Sequence, residues 1–313
     1  MSQQKKALEG AFFCCQPLGS LEMEHLEKTE AFSMRFGFQP SGYAVPDLPR
    51  RLCELARRLE VEGFDSLWLM DHLFQIEGLG PVEEDMLEAY TTLGFLAGVT
   101  TNLRLGAMVS SVTFRHPALL IKMAITLDVL CGGRSWLGVG AGWFEREHRG
   151  LGIPFPKAAE RLERLEETLQ ILRHTGRPHY GKYYRLEEPI FRPLRQPPVL
   201  VGGMGEKVTL RLVARYAQGC NFFQGAGVAE IAHKLEVLRG YCSELGRDYA
   251  AIRKTTLGVY VPGQRERFLR ELVDLQALGI DLAVVGLLDP WNPQALEELI
   301  EVLRSFRDTY SGP

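Results

Sequence analysis

Most of the chain alternates between short apolar runs and longer segments whose apolar residues recur at helical spacing. Met34–Phe38 alternates as a strand does, and Leu48–Val61 carries apolar residues three and four positions apart. Phe64–Met70 is the next strand-like run, and Met86–Val99 again has helical spacing. The chain therefore opens with a predicted strand–helix–strand–helix order.

The same unit recurs toward the C-terminus and gives eight predicted strands and eight predicted helices. An irregular stretch, His174–Pro198, separates the fourth helix from the fifth strand, and we expect it to hold a small hairpin built on Tyr183–Leu186 and Ile190–Arg192. The later predicted strands are Leu103–Val109, Arg134–Val139, Val199–Val201, Cys220–Phe223, Lys254–Val261 and Leu282–Val285, and the later helices are Pro117–Leu130, Ala158–Arg173, Lys207–Ala217, Ala229–Leu245, Glu266–Leu278 and Gln294–Tyr310.

Regular alternation of short apolar strands with helices requires parallel pairing through helical crossovers. Eight such units close most naturally as a (β/α)8 TIM barrel of the α/β class, which we predict for residues 34–313 as a single domain with an excursion between helix four and strand five. The competing fold is a doubly wound open sheet, for which residues 174–198 would be the break. Residues 1–33 are predicted to be a poorly ordered extension.

The composition fits a globular domain that acts on a small molecule. The 313 residues are 46% apolar and 24% charged, which excludes disorder for most of the chain. Basic and acidic side chains number 36 and 39, with a net charge of −3, so no basic surface for nucleic acid or for an anionic membrane is indicated. No window of about eighteen residues is apolar enough to span a membrane.

Cysteine and histidine spacing predicts neither a disulfide framework nor a metal site. The six cysteines include no CxxC pair, and the seven histidines include no HExxH pattern. We therefore predict no metal and a reducing, cytoplasmic location. The apolar patch Ala7–Cys15 follows Lys5 and Lys6 in the manner of a signal peptide, but Glu9 interrupts it and no cleavage pattern follows.

In a barrel of this kind, function lies where the strands end and the following loops begin. Strand two ends in Asp71-His72, and a histidine beside an aspartate at this rim suits general acid–base chemistry. The alternative is that His72 only caps the loop. After strand three, Arg115 and His116 precede a helix, and a structural role is the better interpretation of both.

Glycine-rich turns follow strands four and five. Leu137–Trp143 lacks the third glycine and the later acid of the dinucleotide fingerprint, which disfavours a two-domain nicotinamide dehydrogenase. Gly202–Gly205 leads into a helix whose unpaired amides suit a phosphate, with the Thr209 hydroxyl nearby. Together with the strand-two pair, these turns outline a planar ring that carries a phosphate, as in a flavin nucleotide. Glu145 and Glu147 are candidate supporting acids.

A series of short motifs runs in order across about 170 residues of the chain. They are Arg35–Phe38, Gly63–Trp68, Asp71-His72, Leu105-Gly106, Phe114–Pro117, Leu127-Asp128, Gly132–Arg134, Gly138–Trp143 and Gly202-Gly203. In these motifs the sequence resembles the luciferase-like monooxygenase superfamily, and within it the branch of oxidoreductases that use coenzyme F420, a 5-deazaflavin. The likeness covers essentially Met34 to the C-terminus. Members of the superfamily use either F420 or FMN, which share ring shape and phosphate.

The resemblance implies a set of site residues. It implies a non-proline cis peptide at Met108–Val109 behind the ring. It also matches Asp71 and His72 to a catalytic pair that faces the ring, with His72 as the leading acid–base candidate and Asp71 holding the ring or His72. Some deazaflavin dehydrogenases carry a glutamate proton donor where this chain has Trp143, which argues against sugar-phosphate dehydrogenase activity. The implied cofactor-binding positions are Met108, Val109, Ser110, Ala141, Gly142, Gly202, Gly203, Met204 and Gly205.

We therefore expect an oxidoreductase that transfers a hydride between coenzyme F420 and an unidentified small organic substrate, as a homodimer of the kind this family often forms. The alternatives are an FMN-dependent monooxygenase that uses reduced flavin and O2, and a non-catalytic flavin-binding barrel. We expect the substrate to be selected by variable loops such as 75–85, 145–157 and 174–198. Candidate cations for the anionic tail of F420 are Arg146, Arg149, Lys157, Arg161 and Lys207.

Overall fold

The computed structural model describes residues 34–310, which form a barrel of parallel strands surrounded by helices. The prediction for residues 1–33 lies outside the described residues. The strands are β1 (Arg35–Pro40), β2 (Ser66–Leu69), β3 (Arg104–Ala107), β4 (Ser110–Ser111), β5 (Ser135–Gly140), β6 (His179–Tyr180), β7 (Arg185–Leu186), β8 (Val199–Gly202), β9 (Gly219–Phe223), β10 (Arg253–Tyr260) and β11 (Leu282–Leu287). The helices are α1 (Leu48–Val61), α2 (Ala89–Ala97), α3 (Pro117–Leu130), α4 (Glu145–Gly150), α5 (Ala158–Arg173), α6 (Thr209–Tyr216), α7 (Val228–Leu245), α8 (Arg265–Ala277) and α9 (Pro293–Tyr310).

The pairing of the strands closes the sheet on itself. β1 pairs with β2 on one side and with β11 on the other, and β3 pairs with β5, so the order around the barrel is β1, β2, β3, β5, β8, β9, β10 and β11. β4 lies beyond β3 and pairs with β5 at Ser110↔Val139. An open sheet would keep two unpaired edges. The TIM-barrel prediction is therefore confirmed, and the doubly wound alternative is wrong.

A cluster of apolar side chains fills the interior of the barrel. Gly106 makes room for the largest of them, because a Cβ at Gly106 would lie only 2.7 Å from Trp68 Cζ3. The Trp68 indole nitrogen donates a hydrogen bond to Ser66 Oγ at 2.9 Å, so its polar atom is satisfied. The buried members of the cluster are Trp68, Met108, Leu200, Leu282 and Val284.

The helices pack their apolar faces against the outside of the barrel. In α1, Leu52, Leu55, Ala56 and Leu59 are buried at helical spacing, and burial of each leucine is worth about 2 kcal/mol. Within residues 34–310, no helix combines the length and the apolarity needed to cross a bilayer.

Strand three and the loop after strand four differ from the predicted elements. The strand predicted at Leu103–Val109 is shorter in the structure: β3 ends at Ala107, and β4 begins at Ser110, after the Met108–Val109 segment. The short helix α4 was not predicted, since six residues are too few to establish a helical period in the sequence.

The excursion between α5 and β8 contains a hairpin, but not the predicted one. β6 pairs antiparallel with β7, whereas the prediction paired Tyr183–Leu186 with Ile190–Arg192. The Glu167 carboxylate on α5 accepts hydrogen bonds from the amides of Tyr183 and Tyr184 at 3.0 and 2.9 Å. A buried long-range contact of this kind fixes the turn, and no local pattern in the excursion reports it.

Candidate active site

A cavity of about 680 Å³ opens at the C-terminal ends of the barrel strands. Each of the eight barrel strands, or the residues directly after it, contributes to the wall, from Gln39 on β1 round to Gly286 on β11. This is the end of a TIM barrel at which active sites are built, because the loops that follow all eight strands converge there.

His72 lies in the cavity wall directly after β2 and is held by a buried glutamate. Its Nδ1 lies 2.9 Å from Glu147 Oε1, while Glu147 Oε2 accepts hydrogen bonds from the amides of Leu73 and Phe74 at 2.8 and 3.3 Å. The Glu147 side chain is 1% exposed and the His72 side chain 16% exposed. Of the two supporting acids suggested by the sequence, the structure brings Glu147 to the site. Glu145 is instead half exposed and pairs with Arg149 at 2.8 Å.

The contact with Glu147 decides which nitrogen of His72 faces the cavity. An ionised carboxylate only accepts hydrogen bonds, so Nδ1 carries the proton and points at Glu147. Within the described part of the chain the imidazole is hydrogen-bonded through Nδ1, which leaves Nε2 for a ligand in the cavity. Nε2 presents a lone pair to the cavity when the imidazole is neutral and an N–H when it is protonated. Trp143 and Phe144 pack edge-on against the ring, with centroids 5.5 and 5.9 Å away.

Asp71 also lines the cavity, but both of its carboxylate oxygens are bound by Arg115. Arg115 Nη1 lies 2.5 Å from Oδ2 and Nη2 lies 2.9 Å from Oδ1, and the Asp71 side chain is fully buried. Nη2 also reaches Glu88 at 2.5 Å. Burial opposes the charge of Arg115, but the two carboxylates outweigh it and raise the pKa of the guanidinium above its ordinary value. Arg115 thus ties the end of β2 to the start of α2.

Between β3 and β4, the Met108–Val109 peptide is cis, as the resemblance implied. We call this segment, with the Val109 side chain, the Val109 ledge. The Val109 side chain lies against Gly140 of β5 and Gly202 of β8. A Cβ at either glycine would come within 2.8 Å of Val109 Cγ2. Only glycine at these two positions lets the valine project where it does, which leaves a flat apolar ledge across one side of the cavity.

The turn after β8 is open toward the cavity. Gly203 has φ +126°, a conformation open to glycine, and the glycines at 203 and 205 leave room for Thr209, because a Cβ at Gly205 would lie 3.0 Å from Thr209 Oγ1. Helix α6 begins at Thr209, two residues later than predicted, so residues 206–208 form a turn. The Thr209 hydroxyl lines the cavity at the positive end of this helix.

Eight of the predicted site positions lie in the cavity wall, and three do not. Ser110 Oγ lies 3.1 Å from the hydroxyl of Tyr90, and Met204 packs against the core outside the barrel. Gly205 belongs to the turn but is not part of the wall. The eight in the wall are Asp71, His72, Met108, Val109, Ala141, Gly142, Gly202 and Gly203.

An amide side chain after β9 joins the site without any sequence signal. Gln224 is 5% exposed and lines the cavity, yet its Oε1 has no hydrogen-bond partner among residues 34–310. Gly258 on β10 makes this position possible, because a Cβ there would overlap the Gln224 amide. A buried polar atom without a protein partner points to a ligand or water as its partner.

The predicted cations lie away from the cavity wall. Arg146 pairs with Glu77 at 2.5 Å on the surface, and Arg161 packs over the Phe155 ring at 4.0 Å. The arginine that lines the cavity is Arg267 on α8, where its exposed side chain stands one turn from Glu271. Sequence order could not indicate it, because α8 meets the site only through closure of the barrel.

Comparison with known proteins assigns the chain to a family. Residues 31–299 match the luciferase-like monooxygenase family. The chain belongs to that family. Its match to an F420-dependent glucose-6-phosphate dehydrogenase of Microbacterium testaceum is 33% identical over 196 residues, covering 59% of this chain and 55% of that enzyme. The chain therefore spans little more than half the length of this relative.

Two further relatives of this luciferase-like protein extend the comparison. A phthiodiolone/phenolphthiodiolone dimycocerosates ketoreductase of Mycobacterium tuberculosis is 30% identical over 283 residues, covering 79% of this chain and 72% of that protein. The solved structure of an F420-dependent secondary alcohol dehydrogenase with an F420–acetone adduct superposes with a TM-score of 0.75 at 18% identity, covering 88% of this chain and 99% of that one. The latter likeness establishes the shared fold.

Proposed function

We propose that this luciferase-like protein is an oxidoreductase that transfers a hydride between coenzyme F420 and a small organic substrate. The observation that carries the proposal is the His72–Glu147 pair, which aims one imidazole nitrogen into a cavity with a flat apolar ledge and a glycine turn on its far side. Relatives named as F420-dependent enzymes support F420 as the cofactor.

The residues present fit a deazaflavin. The Val109 ledge and the glycines at 140 and 202 give a flat surface that bulkier residues would fill. The turn at Gly203 and the Thr209 hydroxyl, at the positive end of α6, suit the phosphate of the side chain. The Gln224 Oε1, which has no partner among residues 34–310, offers an acceptor to the polar edge of the ring.

His72 handles the proton that accompanies the hydride. A bound deazaflavin supplies a carbon centre that exchanges a hydride and does not activate oxygen productively. In the oxidation of an alcohol, for which bound F420 would be the hydride acceptor, His72 Nε2 would accept the hydroxyl proton. In the reverse direction the protonated ring returns that proton to the carbonyl oxygen. Glu147 fixes the tautomer and orientation that both directions need.

A sugar phosphate is not the substrate we propose, although one relative is named for glucose 6-phosphate. The position of the glutamate proton donor expected for such enzymes holds Trp143, which is 62% exposed at the cavity rim. An indole has no acidic proton to donate at neutral pH.

Binding of purified protein to F420 and to FMN, each in both redox states, tests the cofactor. We expect a fluorescence titration to give at least tenfold tighter binding of F420. Tight binding of FMN with none of F420, together with oxygen uptake on reduced FMN that increases when substrate is added, would instead identify a monooxygenase.

Replacement of His72 tests the enzyme against a non-catalytic carrier. We expect His72→Asn to bind F420 normally and to lose about 10²- to 10⁴-fold in turnover. His174→Asn, an exposed histidine at the end of α5, is the matched control and should behave as the parent protein. Equal turnover in all three proteins would relocate the acid–base group.

A further inference from the structure

We propose that the substrate of this site is an uncharged carbonyl compound or its alcohol with an extended apolar portion, bound across the mouth of the cavity. The inference rests on the proposed function and adds the chemical class of the substrate. Three observations support it: the placement of apolar side chains at the rim, their exposure, and the pairing of the charges in the wall.

The order of strands in the closed barrel puts apolar side chains on both sides of the mouth. β2 and β9 stand four strands apart in a ring of eight, so they face each other. Ile76 and Leu79 line the cavity from the loop that carries His72, and Phe223 lines it from the end of β9. Val259, on the neighbouring β10, extends the Phe223 side.

Three side chains at the mouth are exposed although they are large and apolar. Phe223 is 63% exposed, Trp143 62% and Val259 43%, and all three line the same cavity. A single exposed apolar side chain is ordinary, but a group that rims one cavity marks a surface that a ligand covers. Trp143 also packs against His72, so an apolar group beside the indole stands next to the proposed acid–base group.

The charges of the wall are almost all paired, which leaves little for an anionic substrate. Asp71 is held by Arg115, and Glu147 is held by His72. His148 is buried with both ring nitrogens bonded, to Thr113 and to the Phe144 carbonyl. In the described lining, the remaining charged side chains are Arg267 and Glu271, which carry opposite charges one turn apart on α8.

For a phosphate or carboxylate on the substrate, the described lining offers one arginine, Arg267, which is exposed and has Glu271 one turn away. Recognition of such groups in proteins relies on bidentate arginine or clustered basic side chains. The anion-binding turn at Gly203 is assigned to the cofactor phosphate in the proposed function. An apolar chain meets no such penalty, since every methylene buried against Phe223 and Val259 strengthens binding.

The test is a series of 2-alkanones from acetone to 2-nonanone, with glucose 6-phosphate as the charged comparison. Calorimetry measures their binding to the protein saturated with F420, and KM is measured for each with reduced F420. We expect both constants to fall about two- to fourfold per added methylene until the rim is covered. The double variant Phe223→Ser/Val259→Ser should flatten this dependence. Leu194→Ser, which alters an exposed leucine on the excursion, is the control and should preserve it.

The outcomes separate this inference from the proposed function. Equal affinity for acetone and 2-nonanone, or preference for glucose 6-phosphate, overturns the apolar class even if F420 is used. If the protein does not bind F420, the proposed function fails, and calorimetry with the ketones alone still decides the inference. Length-dependent binding that persists unchanged in the double variant also overturns it, because the apolar contact would then lie elsewhere.

Discussion

Asp71 and Glu147 are the two buried carboxylates beside the cavity, and each has both oxygens engaged. Asp71 is bound on both oxygens by Arg115, whereas Glu147 holds His72 with one oxygen and the loop amides of Leu73 and Phe74 with the other. The same chemical group thus stabilises the fold in one place and orients a ring nitrogen in the other. The partners, not the residue type, separate the two roles.

Asp71→Asn tests the first role. Removing the charge leaves Arg115 buried beside a neutral amide, so we expect the free energy of unfolding to fall by about 3 kcal/mol. Glu88→Gln, which alters the more exposed partner of the same arginine, should cost less than about 1 kcal/mol. Urea denaturation measures both. Equal, small losses would contradict the assignment of Asp71 to the buried ion pair.

Glu147→Gln tests the second role. A carboxamide presents one oxygen and one NH2 group. With its oxygen on the loop amides it can only donate to Nδ1 of His72, which moves the imidazole proton to Nε2. We expect turnover to fall about 10- to 100-fold and the pH dependence of kcat to change, with KM nearly unchanged. A loss confined to KM would mean that Glu147 positions substrate and not the imidazole. Glu145→Gln on the same helix, which pairs only with Arg149, is the control.

At the scale of elements, carboxylates also tie helices to distant loops. Glu60 near the end of α1 accepts hydrogen bonds from the amides of Thr101, Asn102 and Leu103 at 2.8, 2.5 and 2.8 Å, just before β3. Partial burial raises the pKa of Glu60, but the three amide bonds outweigh it and hold that pKa below the ordinary value of 4.5. The link between α1 and β3 therefore depends on an ionised carboxylate.

The depressed pKa of Glu60 gives a pH-dependent contribution to stability. Because the folded value lies below the unfolded one, the contribution is complete above about pH 4.5 and is lost as the pH falls through the folded value. We expect Glu60→Gln to lower the free energy of unfolding by about 1 kcal/mol at pH 7. Below the folded pKa of Glu60 the same substitution should change it very little. Glu54→Gln, whose partner is the exposed Arg50, should show no such trend. Parallel losses at all pH values would contradict the charge-based account.

The elements themselves were largely readable from the sequence. Apolar periodicity located α1 at Leu48–Val61 and α3 at Pro117–Leu130 with the bounds that the structure has, because each helix buries one face against the barrel. The interruption between β3 and β4 and the short helix α4 could not be predicted from the sequence, since neither has a periodic pattern of apolar residues. The pairing of β6 with β7 could not be read either, because Glu167 on α5 fixes that hairpin from outside it.

At the scale of the whole molecule, closure of the barrel assembles the site. His72 after β2, Gln224 after β9 and Arg267 on α8 are distant in the chain and line one cavity because the sheet closes between β1 and β11. The candidate histidine and the glycine turn were predictable from their places at strand ends. Gln224 and Arg267 were not, because no local pattern marks them. A homodimer and a cytoplasmic location stay predictions.

Cofactor binding at the converging strand ends should stabilise the whole fold. At about 100 times its dissociation constant, a ligand adds about 2.7 kcal/mol to the free energy of unfolding, which for a barrel of this size raises Tm by roughly 4 to 5 °C. We expect F420 to give this shift in calorimetry and FMN to give less at the same concentration. A larger shift with FMN would argue for the flavin enzyme instead.

The sequence by itself determined the repeating strand–helix unit, the number of repeats and the residues that stand at the strand ends. These follow from apolar periodicity and glycine spacing, which are local properties of the chain. Only the tertiary structure decided that Asp71 faces Arg115 and that Glu147 reaches His72 from a helix 75 residues away. Only the tertiary structure, too, left Gln224 Oε1 without a partner among residues 34–310. Such contacts depend on which distant segments of the backbone come together when the barrel closes. Local propensity describes only neighbouring residues, so it does not predict these contacts.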